Sequence, residues 1–319
     1  NMKKKFNLKK FGSIAAALIL TIGVFGQTSF GKNVYATAGS KISEISYSVG
    51  KALGIERNIE PYANVVNKVV EINGVEVKLN DVIIDRNELI FTTTVNTNKT
   101  VDDVYFDCDI YINGKKLIDY GGFGIYGTVE SAKTLFHQLY SFEINDMETK
   151  GDIDIRIVLS NLNYYRRELE KSDIKEEKIK GKWEFEFTAS GSELMANTHT
   201  LPLDYSFNID NTEYILEEFR FNPINKKIYG KIEGEHKELE YVIILRGEDN
   251  LGNKIEFPLL SADWEKIIFR YNNYYRDLAE EITSINLTPY ALRYPEEGGR
   301  VEEDDWEKVG EEFTIYINK

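Results

Sequence analysis

The sequence is poor in the residues that carry most metal, redox and acid–base chemistry. It has one cysteine, three histidines, three tryptophans, three methionines and six prolines in 319 residues. A single cysteine excludes an intramolecular disulfide, so an extracellular fold must rest on core size alone, which a chain of this length can supply. Cys108 lies in "YFDCDIY", where alternation places it beside Phe106 and Ile110 on one strand face, the setting of a buried, inert thiol. The histidines, His137, His199 and His236, are scattered and stand at no metal-ligand spacing. No Gly-x-Ser-x-Gly or Ser-x-x-Lys motif occurs in a supporting context. The glycine-rich "YGGFGIYG" (120–127) lacks the Gly-Lys-Ser/Thr of a phosphate loop and reads as a mobile loop or bulged edge. Acidic runs at 102–109 and 302–308 lack a calcium-loop pattern and read as solvated loops. The expectation is therefore a protein that is not an enzyme, with no catalytic residue, cofactor or metal.

Basic charge is also scarce. The formal net charge is −14. Residues 1–40 carry six lysines and no Asp or Glu, which leaves 33 basic against 53 acidic residues in 41–319. So acidic a surface repels phosphate backbones, and no nucleic-acid partner is expected.

Long apolar runs are absent except near the start. Residues 11–31 hold 21 uncharged residues between Lys10 and Lys32. As a helix they would extend about 31 Å, against about 30 Å for a hydrocarbon core. Five lysines before this stretch and one after it predict a single-pass membrane anchor, with the N-terminus cytoplasmic and the acidic body extracellular. Val34-Tyr35-Ala36 offers a signal-peptidase site after Ala36, but it lies eleven residues beyond Phe25 and past Lys32. The alternative is thus a cleaved leader and a secreted protein. Ile42, Ile45, Val49, Ala52 and Leu53 recur at helical spacing, predicting a short amphipathic helix in a juxtamembrane stalk.

What is abundant is tyrosine (20) and phenylalanine (17), in runs of period two from Val65 onward. Asn73-Gly74, Asp85-Arg86-Asn87, Asn113-Gly114 and Lys150-Gly151 punctuate these runs as turns. In "GKWEFEFTA", Trp183, Phe185 and Phe187 share one face and Glu184 and Glu186 the other, the pattern of a half-buried antiparallel strand with Trp183 in the core. "RRELEKSDIKEEKIKG" (166–181) reads as a helix or solvated loop. A second set of strands runs from about His199 to the end, with a hairpin loop around Asp249, Asn250 and Gly252. The expected fold is all-β: two immunoglobulin-like β-sandwich domains in tandem after an N-terminal transmembrane helix. The expected organisation is a basic cytosolic stub (1–10), a transmembrane helix (11–31), a juxtamembrane stalk with a short helix (32–62), a first β-sandwich (63–195) and a second, immunoglobulin-like one (196–319).

The order of basic stretch, apolar span, short helix, "INGVEVKLNDVIIDRNELIFTTTV", "DIYINGKKL" and "KGKWEFEFT" resembles Gram-positive bacterial membrane proteins containing domain of unknown function 4179. The second half, with "YILEEFRFNPINKKIYGKI", "YVIILRGEDNLGNKIEF" and "INLTPYALRYP", is similar to the immunoglobulin-like family 5643 that follows it in such proteins. The resemblance implies an anti-sigma-factor-like, extracytoplasmic sensing or regulatory role. It also implies a sigma-factor partner, reached through a segment upstream of Asn1. The second reading is a secreted or surface-anchored binding or adhesion module without a signalling role. For an unknown extracellular ligand or protein, two stretches interleave Tyr with Arg: "NYYRRELE" (163–170) and "FRYNNYYRD" (269–277). Such composition is enriched at recognition surfaces, and Tyr274, Tyr275 and Arg276 are the candidate partner-binding residues.

Overall fold

A computed structural model describes residues 42–45, 47–118, 122–129, 134–144, 151–167, 174–234, 240–263, 266–272, 277–279, 281–294 and 301–317. The expected stub and transmembrane helix therefore lie outside the described residues. So do Tyr274, Tyr275 and Arg276. Among the described residues no helix is long and apolar enough to cross a membrane.

The chain opens with helix α1 (Val49–Leu53) and a 3-10 turn at Glu60–Tyr62. The first half then contains β1 (Asn64–Ile72), β2 (Val75–Asp85), β3 (Glu88–Thr97), β4 (Asp103–Ile112), β5 (Lys115–Lys116), β6 (Gly122–Val129), β7 (Leu135–Glu143), β8 (Asp152–Arg167) and β9 (Ile174–Ser190). Helix α2 (Ser192–Ala196) leads into β10 (His199–Ile209), β11 (Thr212–Phe221), β12 (Lys226–Gly234), β13 (Tyr241–Asp249), β14 (Lys254–Ala262), β15 (Lys266–Arg270), β16 (Ser284–Arg293), β17 (Glu307–Lys308) and β18 (Phe313–Tyr316). The protein is all-β.

In the first half a five-stranded antiparallel sheet, β1-β2-β3-β7-β6, faces a four-stranded one, β5-β4-β8-β9. One apolar core fills the space between them, with Leu79, Phe91 and Val95 from the first sheet meeting Ile110, Ile157 and Trp183 from the second. Alternation set this up: Trp183 and Phe185 are buried, and Glu184 on the opposite face accepts from Arg156 at 2.8 Å. Phe106, Cys108 and Ile110 point to the same core, and burial, aided by Asp109, pushes the Cys108 thiol up to about 12. At Asn73-Gly74 and Asn113-Gly114 both residues take positive φ, 53° and 76° in the first pair and 49° and 77° in the second, as a type I′ hairpin turn requires. From Gly122 onward the glycine-rich run lies in β6, a bulged edge strand.

The charged run 166–181 is neither helix nor solvated loop where it is described. It forms the ends of β8 and β9, which pair as a long hairpin from Asp152↔Ser190 to Arg167↔Ile174. The backbone ladder supplies the order, and on a strand exposed to water charged residues are tolerated on both partners.

The second half differs from two separate sheets. It is one continuous nine-stranded path, β10-β11-β12-β15-β14-β13-β16-β17, with β18 pairing β16. Strand β14 pairs with β13 through Pro258 and with β15 from Leu259 onward, so it passes from one layer to the other. Pro258 stands at this crossing, consistent with its missing N–H, which cannot serve a central ladder. The layers enclose a core that includes Phe219, Ile228, Leu245, Phe257, Phe269 and Leu287.

The helical spacing over 42–53 is realised only in α1, five residues long. Residues 42–62, expected as a stalk, lie packed on the outer face of the five-stranded sheet. Ile42 packs with Val69 and Leu135, while Val49, Ile55 and Ile59 join Ile83, Ile90 and Leu139. Polar contacts hold the segment: Lys78 Nζ donates to the Ser43 and Ile45 carbonyls at 3.0 and 2.8 Å, and Thr92 Oγ1 lies 2.8 Å from the Tyr47 carbonyl. The buried Asp81 carboxylate accepts the Val49 N–H at 3.1 Å and Thr92 Oγ1 at 2.6 Å. Tyr47 stacks on the buried His137 with centroids 4.4 Å apart. Asp81→Ala leaves a buried N–H unpaired, at a cost of about 1–3 kcal/mol. The expected outcome is a far-ultraviolet spectrum like the parent's and new protease cleavage within 42–62, checked by sequencing the cut ends.

Candidate functional site: the junction between the two halves

The two halves meet through the tips of two hairpins. One is the β2–β3 turn, Asp85-Arg86-Asn87-Glu88, and the other the β11–β12 turn, Asn222-Pro223-Ile224-Asn225. Asn222 shapes its own turn, since its Oδ1 accepts the N–H groups of Ile224 and Asn225 at 2.9 and 2.7 Å. That frees the Asn222 and Asn225 amides to reach across, each donating to Asp85 Oδ2 at 3.0 Å.

Glu88 is the centre of the clasp. Its side chain is 1% exposed. It accepts from Ser141 Oγ, from Asn225 Nδ2 at 2.6 Å and from Lys227 Nζ at 2.7 Å, and Arg270 stands 3.5 Å away. Burial alone would raise its carboxyl, but Lys227 and Arg270, with the hydrogen bonds, outweigh that and hold it at about 2. Arg270 also donates to Asn225 Oδ1 at 2.8 Å. Beside this group Arg220 pairs with Glu218, lies 4.3 Å above the Tyr229 ring and reaches Asn87 at 3.3 Å. An apolar cluster adjoins the clasp, in which Ile224 of the second half and Leu194 of α2 meet Val49, Ile59, Ile83 and Ile90.

The Glu88 charge gives the junction a pH dependence. Its folded pKa lies below the ordinary 4.5, so its contribution is fully present above about pH 4.5 and is lost as the pH falls towards 2. Urea midpoints should therefore fall from pH 5 to pH 2.5, and by less in Glu88→Gln than in the parent.

Next to the clasp lies a hollow of about 340 Å³, lined by Arg57, Asn197, His199, Phe219, Phe221, Asn222, Pro223, Lys226, Leu278, Ala279, Ile282 and Ile317. Arg57 comes from the N-terminal segment, Lys226 from β12, and Leu278 and Ile282 from the connection between β15 and β16. Asp277 takes Arg57 Nε on one oxygen at 2.8 Å and the Lys226 ammonium on the other. Burial pushes the Lys226 pKa down, against the pull of Asp277. Arg57 also donates to the Leu278 carbonyl at 2.9 Å, and His199 stacks on Phe221 with centroids 5.2 Å apart.

The run 269–277 thus touches this place through Asp277, although the Tyr and Arg singled out in it lie outside the described residues. From the other Tyr/Arg run, Tyr164 is buried and donates to Glu177. Arg57, Lys226 and Glu88 carry no sequence signal of their own.

A larger hollow, about 1040 Å³, lies elsewhere in the second half between Asp210, Tyr241, Arg293, Asp305 and Lys308. It is the weaker candidate, because its polar groups are satisfied at the surface: Tyr241 donates to Asp210 at 2.8 Å, Arg293 pairs with Glu240 and Lys308 with Glu311. Glu302 and Asp305 cap their own 3-10 turn, and Glu303 pairs with Arg246. Among the described residues no group of three or more His, Cys, Asp or Glu is placed to hold a metal ion.

Residues 3–97 match a domain of unknown function (DUF4179), and residues 198–317 match a family of unknown function (DUF5643), in that order. No curated protein matches the chain. Among solved structures the chain is similar to the conserved domain protein from Bacillus anthracis, with a TM-score of 0.60 and 18% identity over 83% of this chain and 94% of that one. At that identity the likeness shows the fold alone.

Proposed function

We propose that a chain carrying these two families in series is the extracytoplasmic part of a single-pass membrane protein with a sensing or regulatory, anti-sigma-factor-like role and no catalysis of its own. The supporting observation is the placement of residues 42–62, which follow the apolar stretch 11–31 in the sequence. Residues 42–62 pack on the first sheet and also reach the second half, through Arg57 to Asp277. A change at the junction of the halves is thereby tied to the segment that follows the membrane stretch. Coupling of this kind needs a physical element that both ends bias, and in this reading the docked segment takes that part.

The test is to express the native protein with a C-terminal tag in its own host, fractionate the cells and read the N-terminus of the tagged product. The expected result is membrane-bound material, open to external protease, that co-purifies with a sigma factor. Tagged material in the medium beginning at Thr37 would instead favour the secreted binding module. Membrane-bound material without a sigma factor would favour a surface-anchored one.

A further inference from the structure

The hollow beside the clasp carries an imbalance of charge. Arg57 and Lys226 converge on the single carboxylate of Asp277. The Lys226 side chain is 4% exposed, and an ammonium has three N–H donors. Asp277 Oδ1 accepts one of them. Two cations against one anion leave a net positive charge in a concavity, in a body that holds 33 basic against 53 acidic residues. The buried Lys226 is compensated by Asp277, whereas the Arg57 side chain is 29% exposed, so the surplus positive charge stands at an accessible edge of the hollow, where an anion is attracted. One wall of the hollow is apolar, with Phe221, Pro223, Leu278, Ala279 and Ile282, while Asn197, His199 and Asn222 add polar groups to its rim. A volume of about 340 Å³ lies in the range of small-molecule sites, which combine apolar walls with a few converging polar groups.

We propose that this hollow binds a small monocarboxylate with an apolar or aromatic body. The carboxylate meets Arg57 and Lys226 through charge-assisted hydrogen bonds, and the body lies against Phe221, Ala279 and Ile282. Such a ligand joins the N-terminal segment, which supplies Arg57, to the second half, which supplies the rest. As the input of a sensing protein it rests on the reading above. As a binding site it does not, because it is measured on the purified chain without reference to membrane or partner, so either can fail alone.

The test is calorimetry and thermal unfolding of the purified full chain with phenylacetate and hexanoate. Neutral phenylacetamide and bodiless acetate are the controls. Phenylacetate or hexanoate should bind at roughly millimolar concentration or below and raise the melting temperature in step with its concentration. Both controls should bind at least about tenfold more weakly, a loss of about 1.4 kcal/mol. Lys226→Met should weaken the carboxylates by at least the same factor. Ala279→Trp keeps both cations but fills the hollow, and should do likewise, which guards against a Lys226 variant that fails to fold. Equal binding of phenylacetamide, unchanged affinity in Ala279→Trp, or no binding of either carboxylate at millimolar concentration would each overturn the proposal.

Discussion

Replacing Trp183 by alanine is expected to lower the unfolding free energy by about 3–5 kcal/mol, the range for deleting a buried Trp or Phe side chain. That is a large share of the about 5–15 kcal/mol that holds a domain folded. The indole is fully buried, packs edge-on against Phe106 with centroids 5.2 Å apart, and donates Nε1–H to the Val75 carbonyl at 3.1 Å. It therefore joins the two sheets of the first half both by packing and by a hydrogen bond. Its loss removes both and opens a cavity between layers that cannot easily close. The measurement is urea unfolding followed by circular dichroism. A midpoint within experimental error of the parent's would mean that the indole is solvated and the register of β9 wrong.

Glu88→Gln is expected to cost about 3–5 kcal/mol, because it leaves Lys227 and Arg270 buried without their counter-charge. The two cations lie in the second half and the carboxylate in the first, so the loss falls on the junction. The double variant Glu88→Gln/Lys227→Met should recover part of the loss, since removing both charges takes away the uncompensated one. Urea unfolding of Glu88→Gln, Lys227→Met and the double variant checks this. Additive losses would show that the pair is not coupled.

Much of the fold was legible along the chain. The Trp183-x-Phe185-x-Phe187 alternation placed a core strand, and Asn73-Gly74 and Asn113-Gly114 placed two hairpins, because period two and positive φ are local requirements that a few residues satisfy by themselves. The hairpin around Asp249 was legible for the same reason, its carboxylate accepting the Leu251 and Asn253 N–H groups at 2.9 Å. The charged run 166–181 was not, since alternating Lys and Glu satisfy a solvent-facing strand as well as a helix. The shared strand β14 was not either, because passing from one layer to the other depends on where both neighbours lie.

The candidate site was legible only at its margin. The run ending at Asp277 drew notice for its tyrosines, whereas the groups that meet there are Asp277, Arg57 and Lys226, drawn from three separate stretches of chain. Glu88 and Lys227 carry no signal along the chain, yet they are buried against one another across 139 positions of sequence. The sequence by itself determined an all-β body, its acidic charge, its principal turns and which side of each core strand faces inward. Only the tertiary structure decided what covers the outward sides: residues 42–62 over β2, β3 and β7, and the second half over Glu88 and Asp85. The physical reason is that alternation separates the two faces of a strand but is blind to what lies against the outer one, whether that face is apolar, as at Ile83, Ile90 and Leu139, or charged, as at Glu88 and Asp85. Water and a complementary set of charges and amides satisfy the same charged side chains, and the choice between them is made by contacts far apart in the chain.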